Sequence, residues 1–309
     1  MAPRTHGLLY RAYERLLQRE IDGAPTHVAV IQDGNRRYAD EHGKDAADGH
    51  RAGAETTERV LDWCADCGVE ELTLYTFSTE NFDRSPAERE HLFSLLDEKL
   101  REFADAERVH DQEVRIRAIG ETDRLPEYLR ETIAYAEGKT EEYDALHLNI
   151  ALAYGGRTEL LGAAREAASA VEAGDIAPGD IDSEEIERRL YTGPARDVDL
   201  IIRTGGDERT SNFLPWHANG NEAAVFFCTP YWPAFAKKDF LRAIRTYESR
   251  TQSWRRTRAR RALALVRAVG GAELDEARAI VERLREHLPR GELDGIEHDT
   301  NESDPTTAD

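Results

Sequence analysis

Two short stretches carry most of the chemistry legible in this sequence. The first, Asp33-Gly34-Asn35-Arg36-Arg37, follows the apolar run Val28-Ala29-Val30-Ile31 and sets a carboxylate and an amide beside two guanidiniums. The run reads as a buried strand, and Asp-Gly-Asn is turn and helix-cap chemistry opening a helix near Arg36. Arginines and a helix N-terminus attract phosphate, whereas a carboxylate repels it unless a cation lies between them. The pattern points to Mg²⁺ and a phosphorylated substrate. Alone it is weak, because Asp and Asn are common helix caps.

The second stretch, RTGGDERTSNF, places Arg203, Arg209 and Ser211 around Gly205-Gly206. Glycines let backbone approach an anion while two guanidiniums clamp it bidentately. That set is enough for one diphosphate. Arg37, the N–H groups of the 34–37 turn and a cation on Asp33 would hold a second. Mg²⁺ takes only one or two carboxylates along with phosphate oxygens and waters, so Asp33 helped by Glu222 suffices. Two diphosphate sites sharing a metal imply condensation of two diphosphate esters. Phe77, Phe82, Phe213 and Trp216 flank the polar groups and would suit a greasy substrate end, although ordinary core packing explains any one of them as well.

Elements must bring these stretches together. Apolar strands are expected near 28–32, 71–77, 113–119, 146–151, 198–202 and 223–228, alternating with helical patterns over 50–67, 86–109, 126–138, 156–173 and 183–190. Such alternation predicts an α/β fold with a central, mainly parallel six-stranded sheet surrounded by helices. Ligands gather at the carboxyl ends of such strands. The first strand delivers Asp33 and its neighbours there, the second delivers Phe77, Ser78, Asn81 and Arg84, and the fifth runs into Arg203. Glu222 precedes the sixth.

The formal charge of −20, from 61 acids against 41 bases, disfavours general nucleic-acid binding. Only five of the bases are lysines, and an acidic, lysine-poor surface fits solubility in a salt-rich cytoplasm. No apolar run approaches the roughly 18 to 20 residues that span a bilayer, and no signal-peptide pattern opens the chain, so a cytoplasmic protein is expected. Cys64 and Cys67 form a CxxC at the end of a helical pattern, with no second pair to complete a zinc site. They read as buried or helix-surface thiols. An amphipathic helix is expected over 1–24, an arginine-rich helical extension over 251–290, and an acidic disordered tail over 291–309.

The stretches HVAVIQDGNRRYA, GHRAGAE, LTLYTFSTENFDR, LNIALAYGGRTEL, DLIIRTGGDERTSNFLPW and YWPAF, in order over roughly residues 25 to 250, resemble the motifs of the cis-prenyltransferases, the undecaprenyl diphosphate synthase family. The resemblance implies a catalytic domain over 25–250 with an apolar tunnel, and extension of farnesyl or geranylgeranyl diphosphate by isopentenyl diphosphate units in Z geometry. The product would be a long polyprenyl diphosphate, precursor of a glycan carrier lipid. It further implies a homodimer and peripheral contact with a membrane at product release. By resemblance, Asp33 carries Mg²⁺ and assists diphosphate departure, while Asn35, His50 and Ser78 sit at the reacting carbons. Gly34 and Arg37 hold the allylic diphosphate, and Arg36, Tyr38, Phe77, Asn81, Phe82 and Arg84 add substrate contacts. Arg203, Arg209 and Ser211 hold isopentenyl diphosphate, with Glu222 placing metal and substrate.

Five positions depart from the family pattern. Ala46 stands where an allylic-site arginine is usual, Arg36 where a glycine is, Phe82 where a tryptophan is, and Asp207-Glu208 where Glu-His is frequent. Two rival readings are a non-catalytic partner subunit of an active homologue, which should have lost the metal aspartate or the diphosphate arginines, and a phosphate-binding hydrolase using Asp33, for which no base or nucleophile is arranged.

Overall fold

A computed structural model describes residues 14–15, 17–19, 21, 23–191, 197–218 and 223–251. Glu222, most of the N-terminal segment, the arginine-rich extension and the acidic tail lie outside the described residues. The chain divides into two compact units at Glu248/Ser249, and the first contains everything that follows.

Its sheet has strands β1 (His27–Ile31), β2 (Glu71–Ser78), β3 (Val114–Ile119), β4 (Leu146–Tyr154), β5 (Leu200–Arg203) and β6 (Ala224–Phe227), in the order β3-β4-β2-β1-β5-β6. Every strand pair among the described residues is parallel, so the sheet is wholly rather than mainly so. Strands buried on both faces read as continuous apolar runs, and all five residues of β1 are buried. Val28 and Val30 join the larger core with Leu72, Leu74, Leu148 and Ile202, whereas Ala29 and Ile31 join a smaller one with Ile201, Tyr154 and Phe213.

Among the described residues, seven helices link the strands: α1 (Asn35–Glu41), α2 (Ala46–Cys67), α3 (Pro86–Asp105), α4 (Glu107–Asp111), α5 (Glu127–Thr140), α6 (Gly156–Ala173) and α7 (Ser183–Glu187). The expected helix over 86–109 breaks at Ala106, whose backbone is extended, so that α4 can bury Val109 beneath β3. Helix α2 starts four residues ahead of the expected 50, because the Asp45 carboxylate caps it by accepting from the Asp48 N–H. The expected helix over 183–190 stops earlier, at Glu187. Cys64 is buried and Cys67 half-buried in α2, both free, and burial raises both thiols, as structural cysteines require.

The GHRAG segment explains its glycines. A Cβ on Gly49 would lie 2.2 Å from the Asn35 carbonyl oxygen, and one on Gly53 would lie 2.4 Å from Asn35 Oδ1. The two glycines, one turn apart, let α2 lie directly on the start of α1 and so fix Asn35. Gly49→Ala should therefore push the helices apart, lowering the unfolding free energy by about 1–3 kcal/mol, as overpacking does. A urea titration of the two proteins checks it.

Candidate active site

Strand order runs outward from β1 in both directions, to β2 on one side and β5 on the other, which makes the crevice above β1 and β5 the switch point of the sheet. Ile31 of β1 pairs with Arg203 of β5. Two residues past Ile31, the Asp33 carboxylate meets Arg203 Nη2 at 2.7 Å through one oxygen and Arg37 Nη2 at 2.9 Å through the other. Burial alone would raise the Asp33 pKa, but the hydrogen bonds from Arg203 and Arg37 outweigh it and hold the group ionised. The alternative of Asp33 as a plain helix cap is set aside here. The residue at the N-cap of α1 is Gly34, with no side-chain cap, and Asp33 spends both oxygens on the two guanidiniums.

Arg203 is only 3 % exposed. Its guanidinium also donates to Ser211 Oγ and the Arg209 carbonyl, each at 2.6 Å, and to Asp207 at 3.1 Å. Asp207 accepts in addition from Arg209 at 2.9 Å. Arg37, Asp33, Arg203, Asp207 and Arg209 thus form one chain of alternating charge joining the two expected diphosphate positions. Gly205 and Gly206 serve a different end from the one expected. Their N–H groups are taken by the Pro230 and Cys228 carbonyls, so they offer nothing to an anion. A Cβ on Gly205 would sit 2.8 Å from Arg37 Nη2, so its glycine makes room for that guanidinium instead.

The site opens into a cavity of about 650 Å³. Its mouth carries Asp33, Gly34, Asn35, Arg36, Arg37, His50, Ser78, Asn81, Arg84, Arg203, Asp207, Arg209 and Ser211. Behind them it runs between the sheet and α3, walled by Leu74, Phe77, Leu148 and Ile150 on one side and by Leu92, Leu95, Leu96, Leu100 and Phe103 on the other. The volume falls in the range of small-molecule pockets, about 300–1,000 Å³.

Several expected residues lie elsewhere. Tyr38 faces away from the cavity and stacks on His42 at 4.1 Å. Phe82 packs behind Phe77 and Phe93, with Arg124 over its ring at 4.2 Å. Phe213 is core, stacked on Tyr75, and Trp216 donates to Glu187 at 3.2 Å. Arg36 lines the mouth 3.6 Å from Glu88, which accepts more closely from Arg84 at 2.7 Å.

Residues passed over in the sequence complete the frame. The Thr204 hydroxyl accepts from the Asp33 N–H at 3.0 Å and donates to its carbonyl at 2.7 Å. Tyr231 fills the space beside Gly34, where a Cβ would come within 2.5 Å of its ring, and Arg37 lies over that ring at 5.3 Å. Trp232 donates its backbone N–H to the Asp33 carbonyl and its Nε1 to the Gly53 carbonyl. The YWPAF stretch was the available signal for these two.

A buried polar atom without a partner calls for an explanation, and a catalytic role is one of several. Asn35 Oδ1 and His50 Nε2 are buried in the cavity mouth with no hydrogen-bond partner. Burial, then the nearby Arg84 charge, push the His50 pKa down to about 4, so its imidazole is neutral near pH 7.

The family model "Putative undecaprenyl diphosphate synthase" matches residues 31–255. The chain is 68% identical over 292 residues to the tritrans,polycis-undecaprenyl-diphosphate synthase (geranylgeranyl-diphosphate specific) of Halobacterium salinarum, covering 94% of this chain and 96% of the relative. The protein of the same name from Haloarcula marismortui is 62% identical over 304 residues, 98% of this chain and all of the relative (100%). Among solved structures, lavandulyl diphosphate synthase from Lavandula x intermedia, in complex with dimethylallyl diphosphate, superposes with a TM-score of 0.67 at 33% identity, over 72% of this chain and 95% of that one. The chain belongs to the undecaprenyl diphosphate synthase family, the cis-prenyltransferases.

The His50 shift predicts a pH dependence. Its pKa is lower folded than unfolded, so the unfolded chain binds the extra proton as pH falls. The stability linked to His50 is complete above about pH 6.5 and is lost as pH drops through about 4, by roughly 3 kcal/mol. Urea titrations of wild type and His50→Gln should diverge in that window, with the variant showing the shallower loss.

Proposed function

We propose that this protein is a chain-elongating cis-prenyltransferase that condenses isopentenyl diphosphate units onto an allylic diphosphate to give a long Z-polyprenyl diphosphate, precursor of a glycan carrier lipid. The observation that carries the reading is a cavity whose mouth joins carboxylates to a set of arginines and whose interior wall is apolar. Anionic heads at one end and a growing hydrocarbon at the other match that gradient. The two haloarchaeal relatives are named as geranylgeranyl-diphosphate specific, which supports geranylgeranyl diphosphate as the primer here.

In each cycle the primer's C–O ester bond breaks and diphosphate departs. A carbon–carbon bond forms to the terminal alkene carbon of isopentenyl diphosphate, and one proton is lost. Arg37 and the α1 N-terminus would hold the departing diphosphate, with Arg36 and Arg84 at the cavity rim adding charge where Ala46 supplies none. Arg203, Arg209 and Ser211 would hold the isopentenyl diphosphate, with charge-assisted bonds that fix its orientation. Asn35, neutral His50 and Ser78, which line the same cavity, would accept or relay the departing proton.

The donors fit Mg²⁺. Two carboxylates, Asp33 and Asp207, stand at the mouth among the described residues, and each oxygen keeps a lone pair beyond the one an arginine N–H takes. A hard cation that draws its remaining ligands from phosphate and water suits such a site. When bound, Mg²⁺ would neutralise charge on the diphosphates. A non-catalytic partner subunit is disfavoured, because Asp33, Arg37, Arg203 and Arg209 all converge on this one cavity.

No helix among the described residues is long and apolar enough to cross a membrane. A homodimer working in a salt-rich cytoplasm, releasing its greasy product at a membrane surface, is the arrangement we infer from the family reading and the acidic, lysine-poor composition.

Purified protein at high salt with Mg²⁺, labelled isopentenyl diphosphate and either farnesyl or geranylgeranyl diphosphate should yield long-chain product, more efficiently from geranylgeranyl diphosphate. Absence of product from both primers would sink the reading. Asp33→Ala should lower turnover by about 10²–10³-fold or more, the scale of a lost preorganised charge in an active site. Arg203→Ala and Arg209→Ala should chiefly raise the KM for isopentenyl diphosphate, and Arg37→Ala that for the primer. If Arg36 replaces the arginine absent at Ala46, Arg36→Gly should weaken the primer and added Ala46→Arg should restore it. Strictly additive effects would leave Arg36 a surface partner of Glu88.

A further inference from the structure

The Tyr154-Gly155-Gly156-Arg157 stretch has no place in the site described above. A strand followed by two glycines and a helix has the form of a phosphate-binding turn. In this chain those N–H groups are already taken. Gly156 N–H donates to the Asn212 carbonyl and Arg157 N–H to Asn212 Oδ1, each at 2.9 Å. The residue at the N-cap of α6, Gly155, supplies no side-chain acceptor of its own. Asn212 therefore caps α6 from 55 positions away in sequence.

The capping residue sits in an unusual segment. Ser211, Asn212 and Leu214 have φ of 49°, 61° and 48°, the left-handed region that L side chains other than Asn and Asp resist. Such a backbone persists only where its surroundings over-determine it. Three contacts do so. A Cβ on Gly156 would fall 2.1 Å from Pro215 Cδ and 2.9 Å from the Asn212 carbonyl oxygen, so that glycine admits the loop. Phe213 stacks on Tyr75 at 4.5 Å and meets Tyr154 edge-on at 6.0 Å. A Cβ on Gly155 would lie 2.8 Å from Thr79 Oγ1, which brings the residue after Ser78 to the same point. The loops after β2, β4 and β5 meet here, immediately behind Ser78 and Ser211.

We propose that Asn212 is a positioning residue for the isopentenyl diphosphate subsite: by capping α6 across the sheet edge it holds the left-handed turn that presents Ser211 Oγ and the Arg209 carbonyl to Arg203. The proposal rests on the reading of Arg203, Arg209 and Ser211 as that subsite. Asn212 touches no substrate. Its effect reaches substrate through the placement of Ser211 and the guanidinium that Ser211 and the Arg209 carbonyl orient. Asparagine suits the position twice over, since its side chain supplies the cap acceptor and its backbone tolerates the left-handed conformation.

The test compares wild type, Asn212→Ala, Asn212→Asp and Arg203→Ala by thermal melting and by steady-state kinetics with each diphosphate varied in turn. Asn212→Ala should raise the KM for isopentenyl diphosphate about fivefold or more while moving the primer KM by less than about twofold. Asn212→Asp, which keeps an acceptor oxygen and the same backbone tolerance, should recover most of that loss. A fall in melting temperature with no change in the isopentenyl diphosphate KM overturns the proposal, as do equal shifts in both KM values or an Asp variant no better than Ala. If Arg203→Ala raises that KM and Asn212→Ala does not, the positioning role alone fails. If Arg203→Ala leaves it unchanged, the subsite reading fails and takes the positioning role with it.

Discussion

A guanidinium buried at the end of a strand governs this site. Arg203 closes β5 almost wholly out of solvent, and a buried charge costs several kcal/mol unless it is paired; both its Nη groups are paired, and its Nε is left without a partner among the described residues. The partners come from both sides: Asp33 from the neighbouring strand end, and Asp207, the Arg209 carbonyl and Ser211 from the loop that follows. The pairing of Ile31 with Arg203 is what brings Asp33 within reach. A slip of one residue between β1 and β5 would turn Arg203 to the opposite face of the sheet and leave Asp33 facing a different residue. The register of the two central strands and the electrostatics of the site are therefore one constraint.

That constraint also explains the frame around Asp33. A carboxylate aimed at two arginines must have its own backbone fixed. Thr204 bonds both the N–H and the carbonyl of Asp33, Trp232 donates to the same carbonyl, and Gly34 turns the chain at φ 103° with Tyr231 packed where a side chain would project. The aromatic pair at 231–232 would do for the proposed primer position what Asn212 would do for the proposed isopentenyl diphosphate position. Each loop at the edge is held by a residue contributed from a distant part of the chain.

Local order made much of this readable from the sequence alone. β1 and β2 fall within a residue of their expected ends, because an apolar run that stops at a charged or turn-forming residue records both burial and exit at the sheet edge. Asp33, Arg37, Ser78, Arg203 and Arg209 could be named for the same reason, since each follows a strand and so must arrive at one edge. What sequence could not supply was direction and partnership. Tyr38 is one residue from Arg37 and yet lies outside the cavity, because successive helical side chains are turned by about 100°. Gly205 and Gly206 look free to cradle an anion until the chain returns at Cys228 and Pro230 to claim their N–H groups. Asp33 resembles a cap because its acceptor role is local in most proteins, and here its partner Arg203 lies 170 residues away.

The charge balance adds a last constraint. A protein with a net charge of −20 should repel substrates that are themselves polyanions, and at low ionic strength that repulsion would act over tens of ångströms. Near molar salt the screening length contracts to about 3 Å, so neither the surplus acids nor the cluster of arginines is felt far from the surface. Capture must then come from contacts made after arrival, which favours guanidiniums preset in position over mobile lysines, because less freedom is lost for each bond formed. Arg203, Arg37 and Arg209 are held in that way by Asp33 and Asp207. The two carboxylates that seem out of place among arginines proposed to bind diphosphate are what keep those arginines together when the protein's long-range field cannot help.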